Sequence, residues 1–344
     1  MTLKIVRAVS VLGIIGSLLL ASPAQAATPF PGRNGTIAFT EVTQAQTSVG
    51  VMNSDGSHMR VVARSAHHPL WSPDGQTLTY VATSGNEERI FVARGFIRRP
   101  LTLAQACKQS APAYSRDGKY IAYVCTKQLG TKTMSAVFVT KTDGLIQRNL
   151  TGWRADTLDS PSWSPDGTRI VYQQNQEGKA SALFVVHTQT QHIQQVTELS
   201  DAVASEVTWS PDGKKILYAD SESEAYTIWP DGSRRAVISD GESYHASWSP
   251  DGQKIAFLDD AQGSSISIRQ PDDNLVQVPL SAGSNQSAKA FSWSPDGSSL
   301  AVALEYESGA QKHAGVFTIN TDNESSAPVM LTGKTVRDLS WQSR

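Results

Sequence analysis

Short runs rich in β-branched and aromatic residues recur along the chain, each bounded by Gly, Asp, Asn, Ser or Pro. TLTYVAT, KYIAYVC, TRIVYQQ, KKILYAD, QKIAFLD and SSLAVAL are of this kind. Their composition and length predict strands and leave little room for helices. A second apolar run follows each of them, as in IFVAR, VFVTK, LFVVH, YTIWP and GVFTIN. Next comes a polar turn, often Asp-Gly as at Asp55-Gly56, Asp143-Gly144 and Asp231-Gly232, and then a third run such as RNLTG or PVMLTG. With the run that leads into the next unit, each period holds four short strands, denoted a to d.

One phrase marks the joint between a and b. WSPDG stands at Trp71, Trp163, Trp209, Trp248 and Trp293, with its turn at Asp74-Gly75, Asp166-Gly167, Asp212-Gly213, Asp251-Gly252 and Asp296-Gly297. A weakened copy, YSRDG, begins at Tyr114, and a truncated one, WQSR, begins at Trp341. The intervals are 43, 49, 46, 39, 45 and 48 residues, the length of a four-stranded propeller blade. Pro presets the first turn dihedral, Asp bonds its own backbone and Gly takes the positive-φ position, so the phrase closes a hairpin. Trp before the turn offers an apolar face to the neighbouring sheet. A propeller needs this turn in every blade, whereas a catalytic site needs its groups once, so the repeated aspartates are read as architecture.

The two ends complete one another. After a tail holding Pro29, Pro31 and Gly32, the chain enters GTIAFTEV, which matches strand b and is followed by a c and a d strand. VRDLSWQSR at the C-terminus matches strand a and has nothing after it. Pairing them predicts an all-β, seven-bladed β-propeller closed by the C-terminal strand lying beside the N-terminal three, with no open sheet edge. Six blades with an extra hairpin is the alternative.

The first 26 residues are expected to be a cleavable signal peptide: Lys4 and Arg7 precede an apolar run, and Ala24-Gln25-Ala26 supplies the small-x-small cleavage pattern. That run falls short of the roughly 20 residues a spanning helix needs. Residues 27–35 are then a tail and 36–344 the propeller of a periplasmic or secreted protein, expected to be a monomer. The net charge of −2 becomes −4 without the first 26 residues, which argues against a nucleic-acid partner. Cys107 leads into strand a of the third blade and Cys125 ends its strand b, so the hairpin brings them nearly opposite. In an exported chain such a pair is expected to be a disulfide, with two buried thiols as the alternative.

Repeated WSPDG followed by an IAF-type strand and an Asp-Gly turn resembles the TolB-like propeller repeats, relatives of WD repeats, over nearly all of 36–344. TolB resembles a periplasmic adaptor with an extra N-terminal α/β domain that binds a peptidoglycan-associated lipoprotein; strand b here starts too early for that domain. Other relatives gate a peptidase, but no GxSxG elbow occurs in this sequence. A few relatives are lyases with a metal in the channel. Function therefore has to be argued from a site.

Candidate site residues come from aligning the blades on the Trp. Three positions before it stand His68, Ala111, Ser160, Glu206, His245, Ala290 and Asp338; four before it stand His67, Ser110, Asp159, Ser205, Tyr244, Lys289 and Arg337. His67, His68, Asp159, Glu206, Tyr244, His245, Lys289, Arg337 and Asp338 are the expected binding residues of the rim and channel. His68, Glu206, His245 and Asp338 are a possible set for Zn or Mn, and a metal beside a Lys or Tyr would support elimination or hydrolysis. Polar rims also simply face water, and no HExxH, CxxC, EF-hand or phosphate-cradling loop occurs. No cofactor is required, and the primary expectation is an envelope scaffold that binds a protein or cell-wall partner. A metal-dependent lyase or hydrolase and a propeller subunit serving a separate peptidase are the alternatives. The b–c loops of blades 5 to 7 carry Glu222, Glu224, Asp259, Asp260, Glu305 and Glu307, which predicts an acidic side to the rim. On the opposite face blade 2 replaces Asp-Gly by RGFIRR, read as the start of strand d at Phe96 or as a protein-contact patch.

Overall fold

The computed structural model describes residues 30–344, apart from 86, 103–106, 177–180, 199–202, 221–223, 240–242, 260–264, 281–283, 309–310, 323–325 and 332–333. For 84, 203–206, 244, 259, 265, 279, 284–285 and 326–331 it describes the backbone alone. The expected signal peptide lies outside these residues.

Among the described residues there are seven four-stranded sheets and no helix. Six sheets are consecutive antiparallel quartets. The remaining sheet, blade 1, joins the last strand, β28 (Thr335–Ser343), to β1 (Asn34–Val42), β2 (Thr47–Met52) and β3 (Arg60–Arg64). β28 pairs with β1 from Val42↔Thr335 to Asn34↔Ser343, and Arg33 and Arg344 exchange two backbone hydrogen bonds of 2.8 Å beyond them. The chain is thus a seven-bladed propeller whose ring is closed by its own two ends.

Period-2 alternation puts every blade between two apolar contacts. In blade 6, Ile255 and Phe257 pack towards blade 5, while Ala256 and Leu258 pack towards blade 7. The same sorting gives seven buried clusters, one per junction, including the junction where Ile37, Phe39, Leu339 and Trp341 meet Ala301 and Val316 of blade 7. The repeat Trp residues sit in these junctions. Trp209 and Trp293 are fully buried, Trp248 and Trp341 nearly so, and Trp71 and Trp163 pack at the edges of their clusters. Trp163 Nε1 donates to Ala113 O of the preceding blade at 3.1 Å, and Trp293 Nε1 to Ser247 O at 3.2 Å.

The a–b turn works as its chemistry predicts. Asp166 Oδ1 accepts from Ser164 Oγ (2.6 Å) and from the Thr168 amide (3.0 Å), and Ser164 Oγ accepts from the Arg169 amide (2.9 Å). Gly167 stands at φ 71°, a region that disfavours a side chain. Asp74, Asp212, Asp251 and Asp296 accept from the serine two residues earlier in the same way. In the degenerate blade 3, Tyr114 takes the place of Trp and its hydroxyl bonds Thr79 Oγ1 at 2.6 Å. Cys107 and Cys125 form the expected disulfide in that blade.

Candidate binding site at the channel mouth

The innermost strand of each blade carries an irregularity that composition alone does not suggest. Its pairing with strand b shifts register in all seven blades, between His67 and Leu70, Ser110 and Ala113, Asp159 and Ser162, and at the matching places elsewhere. At the shift His68, Ala111, Ser160, His245 and Asp338 adopt φ of 49–53° although none is glycine. These are residues three before the repeat Trp, so the ring predicted by alignment is a ring of β-bulges. A bulge re-aims a side chain and is favoured where sheets end or bind. The signal was present: Pro69, Pro112 and Pro161 stand one residue later, and a proline inside a strand marks an edge or a bulge.

Two of the bulged residues meet. His68 and Asp338 both line the central channel, an open cleft walled by Pro69, Pro112, Pro161, Trp163 and Tyr114. The His68 amide donates to Asp338 Oδ2 at 3.2 Å, and His68 Nε2 lies 3.7 Å from Asp338 Oδ1. His67 Nδ1 and His68 Nδ1 are 2.6 Å apart, so one nitrogen donates and the other accepts. His67 Nε2 lies 3.4 Å from Glu88 Oε1. The hydrogen bond from His67 holds the Glu88 carboxyl below the usual range against the opposing effect of burial. Glu88, absent from the aligned positions, thus extends the cluster into a chain of carboxylate, two imidazoles and carboxylate.

Asp159 approaches the same cluster from blade 4. Burial pushes its carboxyl up, opposed by the Ser160 amide, which donates to Oδ1 at 2.7 Å, and by the charge of His68. Lys289 and Arg337 lie on the other side with Glu305. Burial raises the Glu305 carboxyl, but bonds from Thr335 and Lys289 and the charge of Arg337 outweigh it and leave the group lowered. Lys289 Nζ is 3.4 Å from Glu305 Oε2 and donates to Ser287 Oγ at 3.0 Å. This part of the expected acidic rim is therefore paired with cations. Glu222, Asp259 and Asp260 fall outside the described side chains.

The side chains of Glu206 and Tyr244 also lie outside the described set; their backbones run in the strands Val203–Trp209 and Ser243–Trp248. His245 has the bulged backbone, but it does not line the channel cavity with His68 and Asp338. Among the described residues, no three His, Cys, Asp or Glu side chains form a group that would hold a metal ion.

The other end of the channel holds residues the alignment passed over. Arg116, which replaces Pro in the degenerate turn, donates from Nη1 to Pro211 O at 3.0 Å, tying blade 3 to blade 5. Phe30 and Pro31 line the same cavity, and Pro31 O accepts from Ser343 Oγ at 3.0 Å. The departure from WSPDG at Arg116 was the only sequence signal for this bridge.

A ring of four-stranded blades with this turn and this channel defines a β-propeller of the WSPDG-repeat class. Within it, the family model of the TolB beta propeller domain matches residues 30–267, and the chain belongs to that family. Among solved structures the chain is similar to TolB from Acinetobacter baumannii, at 16% identity and TM-score 0.56, covering 90% of this chain and 67% of that one. A puromycin-hydrolyzing peptidase of Mycobacterium tuberculosis is matched at 15% identity and TM-score 0.66, over 90% of this chain and 57% of the peptidase. An oligogalacturonate lyase in complex with manganese is matched at 12% identity and TM-score 0.60, over 87% of this chain and 85% of the lyase. No curated protein matches the chain. At these identities the likeness is one of fold, and the chain spans only about half to two thirds of the peptidase and of TolB.

Proposed function

We propose that the protein is an exported binding or scaffold protein of the cell envelope that holds a protein or cell-wall partner at the channel mouth. The observation that carries this reading is the bulge ring. One backbone device recurs around the ring, yet the side chains on it differ: imidazole at His68 and His245, hydroxyl at Ser160, carboxylate at Asp338. A repeated scaffold with varied side chains suits recognition, in which polar complementarity selects the partner. The fold it shares with a TolB supports a protein partner.

The test places a photo-cross-linking residue at Asp159, Lys289 or Arg337 and, as a control, at Asp143 on the opposite face. One partner captured from the three mouth positions, and lost in a His68→Ala/Asp338→Asn variant, is expected. Capture equal at Asp143, or none, overturns the reading.

A second reading rests on the approach of His68 and Asp338, with the manganese-bound lyase of the same fold beside it. Those two side chains would hold one face of a divalent ion, and Glu206 and His245 would have to complete it. Its signature is stoichiometric transition metal in the purified protein, lost in a His68→Ala/His245→Ala variant.

A further inference from the structure

On the face opposite the channel mouth, the c–d hairpins of blades 1, 2 and 3 stand side by side and expose large apolar side chains. Met59 and Val61, Phe96 and Ile97, and Leu145 and Ile146 make up six of the nine exposed large hydrophobics among the described residues. Single exposed apolar residues are ordinary, but a run of them on adjacent elements marks an interaction surface.

The blade 2 hairpin carries the most exposed of these side chains, Phe96. Arg94 pairs with Ile97 across the two-residue turn Gly95-Phe96, so Phe96 occupies the turn and the strand begins one residue later, at Ile97. The reading of Phe96 as the first residue of strand d is thereby corrected: a turn with glycine at φ 59° in its first central place closes the hairpin before Phe96 can pair. Phe96 is as accessible as in an extended chain, at 105%. A Cβ built on Gly95 would meet nothing within 4 Å, so the tip stands clear of the molecule. Neighbouring blades place Asp-Gly or other polar residues in this turn, and the turn itself gains nothing from an aromatic ring.

The charge around the tip runs against that of the whole protein. Arg60, Arg94, Arg98, Arg99, Lys141 and Arg148 stand on or beside these three hairpins, against the carboxylates Asp55 and Asp143 on the hairpins and Asp74 and Asp117 in the adjoining a–b turns, where Asp74 accepts from Ser72 and the Gln76 amide and Asp117 pairs with Lys119. Asp55 and Asp143 accept backbone amides of their own turns, from Ser57 and Leu145 at 2.9 Å. Arg94 and Arg99 hydrogen-bond to neutral acceptors, Gln76 Oε1 and the Pro100 and Thr142 carbonyls, so their charges remain available. The Arg99 bond to Thr142 also ties the blade 2 hairpin to blade 3, and Arg60, Val62, Gly95 and Arg98 line one groove between blades 1 and 2.

Shape selects the occupant. Hairpins of adjacent blades leave the ring from one face, so their tips can reach a plane together, and the aromatic tip stands proud instead of lying in a pocket. A folded acidic partner would need a cavity shaped for Phe96, whereas a bilayer interface yields around an apolar wedge and supplies phosphates at the depth of the flanking arginines. We propose that this face docks on an anionic phospholipid surface, with Phe96 and Ile97 entering the interface and Arg94, Arg98 and Arg99 engaging the headgroup phosphates. The docking face lies opposite the channel mouth, so it stands or falls apart from the partner site there.

The experiment is co-sedimentation of the purified protein with vesicles of phosphatidylglycerol and phosphatidylcholine, and with phosphatidylcholine alone, at low and high salt. Binding to the anionic vesicles is expected, released at high salt and weakened about tenfold or more in Phe96→Ser/Ile97→Ser. Arg98→Glu is expected to weaken it as well, with the melting temperature of each variant unchanged. Residues 1–29 are common to all variants, so the difference reports on the hairpin. Failure to bind at low salt, equal binding to neutral vesicles, or undiminished binding by the Phe96 variant overturns the proposal. Phe96-dependent binding of poly-glutamate without vesicle binding assigns the face to an acidic protein instead and overturns it too.

Discussion

Five residues along the inner ring, His68, Ala111, Ser160, His245 and Asp338, hold a left-handed backbone that an L side chain disfavours by roughly 1–2 kcal/mol each. The fold carries that cost because the bulge is part of every blade. Asp159 beside the bulge adds a cost of another kind. Burial raises its carboxyl in the folded state, and the Ser160 amide and His68 offset this only in part. A raised folded-state value means the group favours folding when protonated and subtracts stability as the pH climbs through that value. Asp159→Asn is therefore expected to raise the melting temperature at neutral pH while reducing partner capture. The gain should vanish below about pH 4, where the wild-type carboxyl is neutral in both states. Thermal melts of the two proteins across that range check it, and a lower melting temperature for the variant at pH 7 would show that the carboxylate is held more firmly than burial penalises it.

At the scale of the blade, hairpin chemistry was readable and local irregularity was not. Ser-Pro-Asp-Gly names its own turn, so the a–b joints at Asp166, Asp212 and Asp296 follow from residue types. The bulges do not, because register depends on how strand a meets strand b across the turn; only Pro69, Pro112 and Pro161 hinted at them. Phe96 was ambiguous for a related reason, since a two-residue turn and a strand start differ by a single position. The disulfide of blade 3 followed from the hairpin once its turn was placed. It closes a loop of 18 residues across the blade whose turn has lost its Trp and Pro. Chain entropy assigns such a loop about 3 kcal/mol. Reduction, or Cys107→Ser/Cys125→Ser, is expected to lower the melting temperature by roughly 5 °C and to leave the other blades assembled. Calorimetry with and without reductant measures it, and an unchanged transition would mean that blade 3 is held by its apolar junctions alone.

For the whole molecule, the period of the repeat and the incompleteness of its two ends were enough to anticipate a seven-membered ring, because a sheet edge that can pair with its own chain has one partner of matching pattern. What lines the channel was less accessible. His68 and Asp338 are 270 residues apart in sequence and meet because blade 1 is built from both ends of the chain. Glu88 joins them from a different strand that no alignment on Trp would select. The closing strand is thus needed for the site as well as for the ring: β28 brings Asp338 to His68, buries Leu339 and Trp341 against blade 7, and offers Ser340 Oγ to the Trp71 amide at 3.1 Å on the blade 2 side. Removing Arg337 to Arg344 exposes an apolar face on each neighbour and breaks the ladder with β1. Buried side chains of this size contribute about 2–3 kcal/mol each, and the ladder and second junction add to that, against a total stability of about 5–15 kcal/mol for a domain. The truncated chain is expected to lose its cooperative melt near room temperature, and adding a synthetic peptide of residues 335–344 in excess should restore part of it, since the vacated groove is a strand-addition site. A truncated protein that melts like the intact one would show that the seven junctions, and not the paired ends, hold the ring together.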